Sequence, residues 1–199
     1  MPFNSSNVKV AAGTLYAAPI GTTEPTSVSG VWPTGWVSLG YTEQGSEFDF
    51  GPAVTPITVE EEFYPVRQAI TSYTGKITFV LAELTQQSLA LALNAGIGSS
   101  VVTASQSTAG GMFSQEPVTP GSEVRVMLGW GTEFEGASTS TDPFQKFIWR
   151  QCLQVGQVKR VMRKGATKAS YSVEFALEKP SGSGNKQPWV SIQPASLVS

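Results

Sequence analysis

The sequence holds no histidine and only one cysteine, Cys152, in 199 residues. The first absence removes the side chain most often used for proton transfer near neutral pH, and the commonest metal ligand. The second rules out a disulfide within the chain and any cysteine-built zinc site. Charge is scarce as well. Asp, Glu, Lys and Arg together make up 14% of the chain, against about a quarter in an ordinary soluble domain. A surface so poor in charge is weakly hydrated, which suits a molecule covered largely by copies of itself. No apolar run approaches the ~18–20 residues that a membrane span needs. Met1–Asn7 shows neither the basic nor the apolar region of a signal peptide. The expectation is a protein that stays soluble in the cytoplasm that makes it, with no membrane partner.

What is present is alternation. In Tyr171–Glu178 the residues Tyr171, Val173, Phe175 and Leu177 share one side, and Ser172, Glu174, Ala176 and Glu178 the other. That is the period of a strand with one dry face. Weaker strands are expected at Val8–Tyr16, Trp36–Thr42, Ile57–Tyr64, Tyr73–Leu81, Glu123–Trp130, Lys146–Val155 and Gln157–Met162. Gly and Pro separate them, at Gly21, Pro25, Pro33, Gly51, Pro52, Pro56, Gly110, Gly111, Pro120 and Gly121. Short strands so punctuated predict an all-β sandwich or barrel. One segment departs from the pattern. Thr85 is a good N-cap, Gly96 a good stop, and no β-branched residue lies between, so one helix is expected at about 85–95. Leu89, Ala92 and Leu93 form its inward face.

The domain is expected to span 1–180. Residues 180–188, rich in Ser and Gly, read as a flexible linker. The apolar Trp189–Ile192 that follows reads as an arm whose Trp189 and Ile192 dock on this domain or on a neighbour. Stretches 20–35 and 98–120 read as loops.

Little here suggests catalysis. Glu60, Glu61 and Glu62 form the densest carboxylate group, but in a strand only Glu60 and Glu62 share a face. Catalytic pairs face each other across a cleft from different segments. A wet or partner-facing acidic strand face is the reading adopted, and no enzyme activity, cofactor or metal is expected. Gly182–Lys186 lacks the spacing of a phosphate-binding loop. Cys152 lies in an apolar run and reads as a buried hydrophobe. Gly129 and Gly131 flank Trp130 and leave room for a ring against the backbone. The basic run Lys159, Arg160, Arg163, Lys164, with Lys168 beyond Gly165, reads as a hairpin tip facing solvent or a partner rather than as a nucleic-acid site, since no aromatic residues are interleaved.

Several segments resemble the major tail proteins of long-tailed, siphovirus-like bacteriophages. Val10–Thr22, with its Ala18-Pro19-Ile20-Gly21-Thr22 turn, resembles the family's opening strand. Trp36–Gly45 resembles a segment with Trp, Leu-Gly, Thr and Gly at these spacings, and Ile57–Val66 and Ile77–Gly96 resemble the strands and helix that follow. The likeness covers residues 8–96. It implies a β-sandwich of the tail-tube type with a flanking helix. It implies subunits that form hexameric rings, whose inner strands make a continuous barrel lining and whose stack is a tube conducting DNA without binding it specifically. It implies as partners further copies of the chain, the tape measure, the tail terminator and the tail tip, and a place in the virion tail. It also implies that a long loop, here Gly45–Pro56 with Phe48, Phe50, Pro52 and Pro56, reaches the next ring and is ordered only on assembly. Glu60 and Glu62 would then face the lumen or a neighbour. A head–tail joining or decoration protein shares this composition, and a carbohydrate-binding sandwich would use the five tryptophans.

Charge is divided unevenly. Residues 1–145 carry 13 acidic and 4 basic side chains, and residues 146–199 carry 2 and 9, for net charges of −9 and +7 within the overall −2. The tail reading assigns the basic hairpin to carboxylates of an adjacent subunit, such as Glu43, Glu47 and Asp49, because a basic lumen would hold DNA back.

Overall fold

The computed structural model describes residues 13–28, 31–83, 85–98, 117–132, 145–161, 170–181 and 186–193. Nine strands and one helix follow in chain order: β1 (Gly13–Pro19), β2 (Val37–Ser38), β3 (Thr42–Ile57), β4 (Arg67–Leu81), α1 (Gln86–Ala92), β5 (Val126–Thr132), β6 (Lys146–Gln154), β7 (Lys159–Val161), β8 (Ser170–Leu177) and β9 (Trp189–Ile192). The fold is all-β with one short helix, as expected.

All strands join one antiparallel sheet in the order β2-β1-β5-β6-β8-β4-β3, with β7 added on β8 and β9 on β6. Strand β6 is where the sheet turns over. Its first half, Lys146–Trp149, pairs with β9, whereas Cys152–Gln154 pairs with β8. The two neighbours diverge, so β8, β4 and β3 swing across and face β1, β5 and β6. Between the layers lie Leu15, Ala17, Leu128, Trp149 and Cys152 from one side and Ile77, Phe79, Leu81, Val173 and Phe175 from the other. Phe79 and Phe175 stack at the centre with ring centroids 5.7 Å apart. A second, smaller cluster on the outer side of the first layer joins Ala18, Met127 and Ile148 to Trp32 and Trp36.

The alternation in β8 is borne out: Tyr171, Val173 and Phe175 are buried and their neighbours are not. Cys152 is fully buried, and burial pushes its thiol well above the ordinary range. The expected space beside Trp130 is real in kind. A Cβ on Gly129 would meet the Trp32 ring at 2.5 Å, so only glycine lets that ring lie on β5.

The helix begins where expected. Thr85 Oγ1 accepts from the Ser88 amide at 3.1 Å, and Ser88 Oγ accepts from the Thr85 amide at 2.9 Å, a reciprocal cap. Its deepest residues are Ser88, Ala90, Leu91 and Ala92, with Leu89 only partly buried. The helix stops earlier than Gly96. Asn94 takes the left-handed conformation at φ 57°. Its side-chain amide donates to the Gln154 carbonyl at 2.9 Å and accepts from the Gln154 amide at 3.1 Å. Those two bonds fasten the end of α1 to the end of β6.

Two expectations are corrected by β3. The segment Gly45–Pro56 is no loop but the larger part of a 16-residue strand. Its prolines are tolerated because β3 is the last strand of the sheet. Pro52 and Pro56 have the same parity along it, so both can present the missing N–H to the open edge. Conversely, Ile57–Tyr64 is no strand. Residues 58–66 form the connection between β3 and β4, closed by the Val66 amide on the Ile57 carbonyl at 2.9 Å. Glu60 and Glu62 therefore lie in a hairpin loop and not on a strand face. Three adjacent carboxylates repel, and a solvated turn separates them better than a sheet does.

Phe175→Ala removes half of the central stack and should cost about 3–5 kcal/mol of stability, whereas Phe63→Ser in the exposed loop should change it by less than ~0.5 kcal/mol. Urea unfolding of the two variants measures both. Equal losses would mean that the core has been placed wrongly.

Candidate assembly surface

The two strands of the β3–β4 hairpin outrun the sheet they belong to. Strand β8 pairs with β4 only as far as Lys76. Beyond it, from Phe50 to Ile57 and from Arg67 to Gly75, β3 and β4 pair only with each other among the described residues. This is a two-stranded arm, a form with little stability of its own in water. Across the register, Phe48, Phe50, Pro52 and Val54 lie opposite Ile77, Gly75, Tyr73 and Ile70. All eight belong to the face that, nearer the body, covers the core. The arm thus carries a core face outward, past the point where a facing layer ends.

The consequence is exposed apolar surface. Among the described residues, Phe50, Val54, Ile57, Val59, Phe63, Tyr64, Val66, Ile70 and Tyr73 are exposed, and all lie on the arm or its loop. Elsewhere among the described residues, only Ile20, Val31, Tyr41 and Val155 add large apolar exposure. A patch of this kind marks a surface that another molecule covers. The opposite face, with Asp49, Gly51, Ala53, Thr55, Ala69, Ser72 and Thr74, is small and polar by sequence until the Ile57–Arg67 pair at its outer end.

The base of the arm is built by the C-terminal segment. Trp189 packs edge-on to Phe48 and Phe50, with centroids at 5.6 and 5.7 Å, and Phe50 stacks flat on Tyr73 at 5.6 Å. What brings Trp189 there is ionic. Arg150 on β6 donates from Nε and Nη2 to the two carboxylate oxygens of Glu24, each at 2.9 Å, and from Nη1 to the Gln187 carbonyl at 2.7 Å. Its amide donates to the Pro188 carbonyl at 2.9 Å. Lys186 adds a further contact to Glu24 at 3.2 Å. The hydrogen bond from Arg150 holds the Glu24 carboxyl below the usual carboxylate range, although burial pushes the other way. A second pair of this type, Glu178 with Gln151 and Arg125, likewise keeps the Glu178 carboxyl low.

The expected site residues are placed as follows. Phe48, Phe50, Pro52 and Pro56 all stand on β3, with Phe48 turned into the body. Glu60 and Glu62 sit in the loop at the arm's end. Trp189 and Ile192 belong to β9, which docks on its own domain beside β6. Lys159 and Arg160 belong to β7, which pairs antiparallel with β8. Arg163, Lys164 and Lys168 lie outside the described residues. The reading of the residues missed Ile70, Tyr73 and the Glu24–Arg150 pair. Tyr73 carried a signal, since it continues the parity of Ile77 and Phe79 backwards, whereas Ile70 reaches the same face only through the irregularity at Thr71. Glu24 and Arg150 are 126 residues apart, and nothing local connects them.

A family model described as phage tail tube protein matches residues 1–130. No curated protein matches the chain.

The clasp has a pH signature. Glu24 is depressed in the folded chain, so its contribution is complete above the ordinary carboxylate range and fades as pH falls through the lowered value. Glu24→Gln should lower stability at neutral pH by about 1–3 kcal/mol. The gap to the wild type should then narrow on acidification. Tryptophan fluorescence should shift to the red in the variant as Trp189 loosens. A gap that stays constant from pH 7 to pH 3 would show that the pair contributes nothing through its charge.

Proposed function

Because the chain belongs to the phage tail tube protein family, we propose that it is the repeating subunit of a tail tube, in which hexameric rings stack into a hollow conduit for genomic DNA during ejection. Membership makes it a structural protein of the virion tail that assembles with itself and with other tail proteins. The reading extends this to a long-tailed, siphovirus-like virion. Assembly would take place in the host cytoplasm, with the tape measure, the terminator and the tail tip as further partners.

One observation carries the reading: the core face that the β3–β4 arm extends beyond its own body. A monomer gains nothing by exporting Val54, Ile70 and Tyr73 into water, whereas a polymer buries them at every junction. Strand β3 is also the last strand of the sheet among the described residues, and because Pro52 and Pro56 remove donors from its open edge, the apolar face of the arm rather than that edge is the surface offered to a neighbour. The charge balance fits a conduit. Each Lys or Arg on a lumen would displace counterions from DNA and add affinity at every ring, and the chain as a whole is slightly acidic. The basic segment Lys159, Arg160, Arg163, Lys164 and Lys168 belongs in this reading at a contact between copies, opposite carboxylates such as Glu47 and Asp49. A carbohydrate-binding role would need tryptophan rings laid open. Trp149 is buried, Trp130 and Trp189 pack on the core, and Trp32 and Trp36 pack on the outer cluster.

Negative-stain microscopy and sedimentation of purified protein test the proposal. The wild type should form rings or tubes. Val54→Ser with Ile70→Ser should leave a folded monomer with unchanged circular dichroism and cut polymer yield at least ~10-fold, since two exposed apolar anchors are lost at each junction. A wild type that stays monomeric at high concentration, or a double variant that polymerises normally, contradicts it.

A further inference from the structure

At the foot of the arm, Phe50, Tyr73 and Trp189 form the floor of an open groove of about 840 Å³, flanked by Lys179, Lys186 and Pro188. Phe50 and Tyr73 lie parallel, with an interplanar angle of 3°. Lys179 is exposed and has no ion pair among the described residues, and Lys186 shares Glu24 with Arg150. Arg150 and Lys186 thus stand at Glu24, Lys179 adds a cation beside the groove, and the groove lining holds two lysines and no carboxylate over an aromatic floor.

At the other end of the arm is the complementary chemistry. The connecting loop reads Val59-Glu60-Glu61-Glu62-Phe63-Tyr64. Phe63 and Tyr64 are 103% and 82% exposed, and the three carboxylates have no ion-pair partner among the described residues. A loop with three negative charges followed by two open rings is what the groove would recognise: rings on rings, carboxylates on lysines.

We propose that the acidic aromatic loop at the tip of one copy's arm docks in the groove at the base of the next copy's arm. The groove cannot take its own loop. About seven paired residues separate Phe50 from the tip, and at ~3.3 Å per residue the ribbon holds the two some 20 Å apart. The occupant is therefore a second copy of the chain. Tip and groove are different surfaces, so a heterologous contact passes from copy to copy and gives a ladder of crosslinked multimers, whereas a reciprocal exchange of two tips would stop at a crosslinked dimer. It also gives the C-terminal clasp a purpose. Arg150 and Glu24 seat Trp189 and Lys186, and without them the groove loses one wall. The inference rests on the tube reading and adds to it the specific junction.

A charge exchange and a crosslink test it together. Glu60→Lys with Glu62→Lys, and separately Lys179→Glu with Lys186→Glu, should each reduce polymer at least ~10-fold at low salt. The two pairs combined in one chain should restore it to within a few-fold, because attraction is regained with its sign reversed. Independently, Phe63→Cys with Gln187→Cys places one thiol on the tip and one at the groove, while the buried Cys152 stays out of reach. After oxidation, assembled protein should give a ladder of disulfide-linked multimers on non-reducing gels, and dispersed protein should give monomer. Assembled wild type together with an assembled but ladder-free double-cysteine variant removes this junction and leaves the tube reading standing. No polymer from the wild type under any condition removes both. A ladder without charge rescue retains the junction and assigns its affinity to the rings.

Discussion

A β-sandwich is stable because each layer covers the apolar face of the other, and in this chain one layer is longer than its partner. Strands β3 and β4 leave the body with the same alternation that buries Ile77 and Phe79 within it. Beyond Phe50, on which Trp189 packs, that alternation has nothing opposite among the described residues. The cost is borne by a two-stranded ribbon without a core of its own. The rest of the molecule makes sense around this excess. A well-packed centre built on Phe79 and Phe175 anchors the ribbon. A reciprocal cap and the Asn94–Gln154 amide pair fix the helix that closes one end. A surface poor in charge loses little when it is covered.

The C-terminal segment matters for the same reason. Arg150 reaches across to Glu24 and to the Gln187 and Pro188 carbonyls, and this ties β9 beside β6. Trp189 then covers the point where Phe48 leaves the core and Phe50 begins to face water. The seat for a partner is consequently made of three separate stretches of sequence, held by one bidentate ion pair. Such a pair, partly withdrawn from water, is stronger than an exposed one and also better at fixing a geometry.

Much of this was legible in the sequence where local chemistry decided the outcome. The half-buried strand β8 announced itself by alternation, the helix by Thr85, and Cys152 by its apolar neighbours. The failures have a common origin. Gly45, Gly51, Pro52 and Pro56 look like loop punctuation, because in a central strand proline would break the ladder. On the last strand of the sheet it does not, and whether a strand is last is a property of the whole fold. Likewise Ile57 and Val59 suggested a strand through Glu60–Glu62, and only the return of β4 against β3 reveals a turn there. The Glu24–Arg150 pair was invisible because its partners meet through the sheet and not along the chain. The resemblance to tail proteins described Gly45–Pro56 as a loop, whereas it is the larger part of β3.

The central claim is that the arm is an unfinished layer completed by another copy. Hydrogen exchange of the backbone amides measures this directly, in the dispersed subunit and in the assembled form. The account predicts rapid exchange in residues 50–57 and 67–74 of the free subunit, against slow exchange in β4 and β8 where they enclose Phe79 and Phe175. On assembly the arm should become protected to a degree approaching the core. An arm that exchanges equally fast in both states would contradict the account, because its apolar face would then be left in water by the very polymer said to cover it.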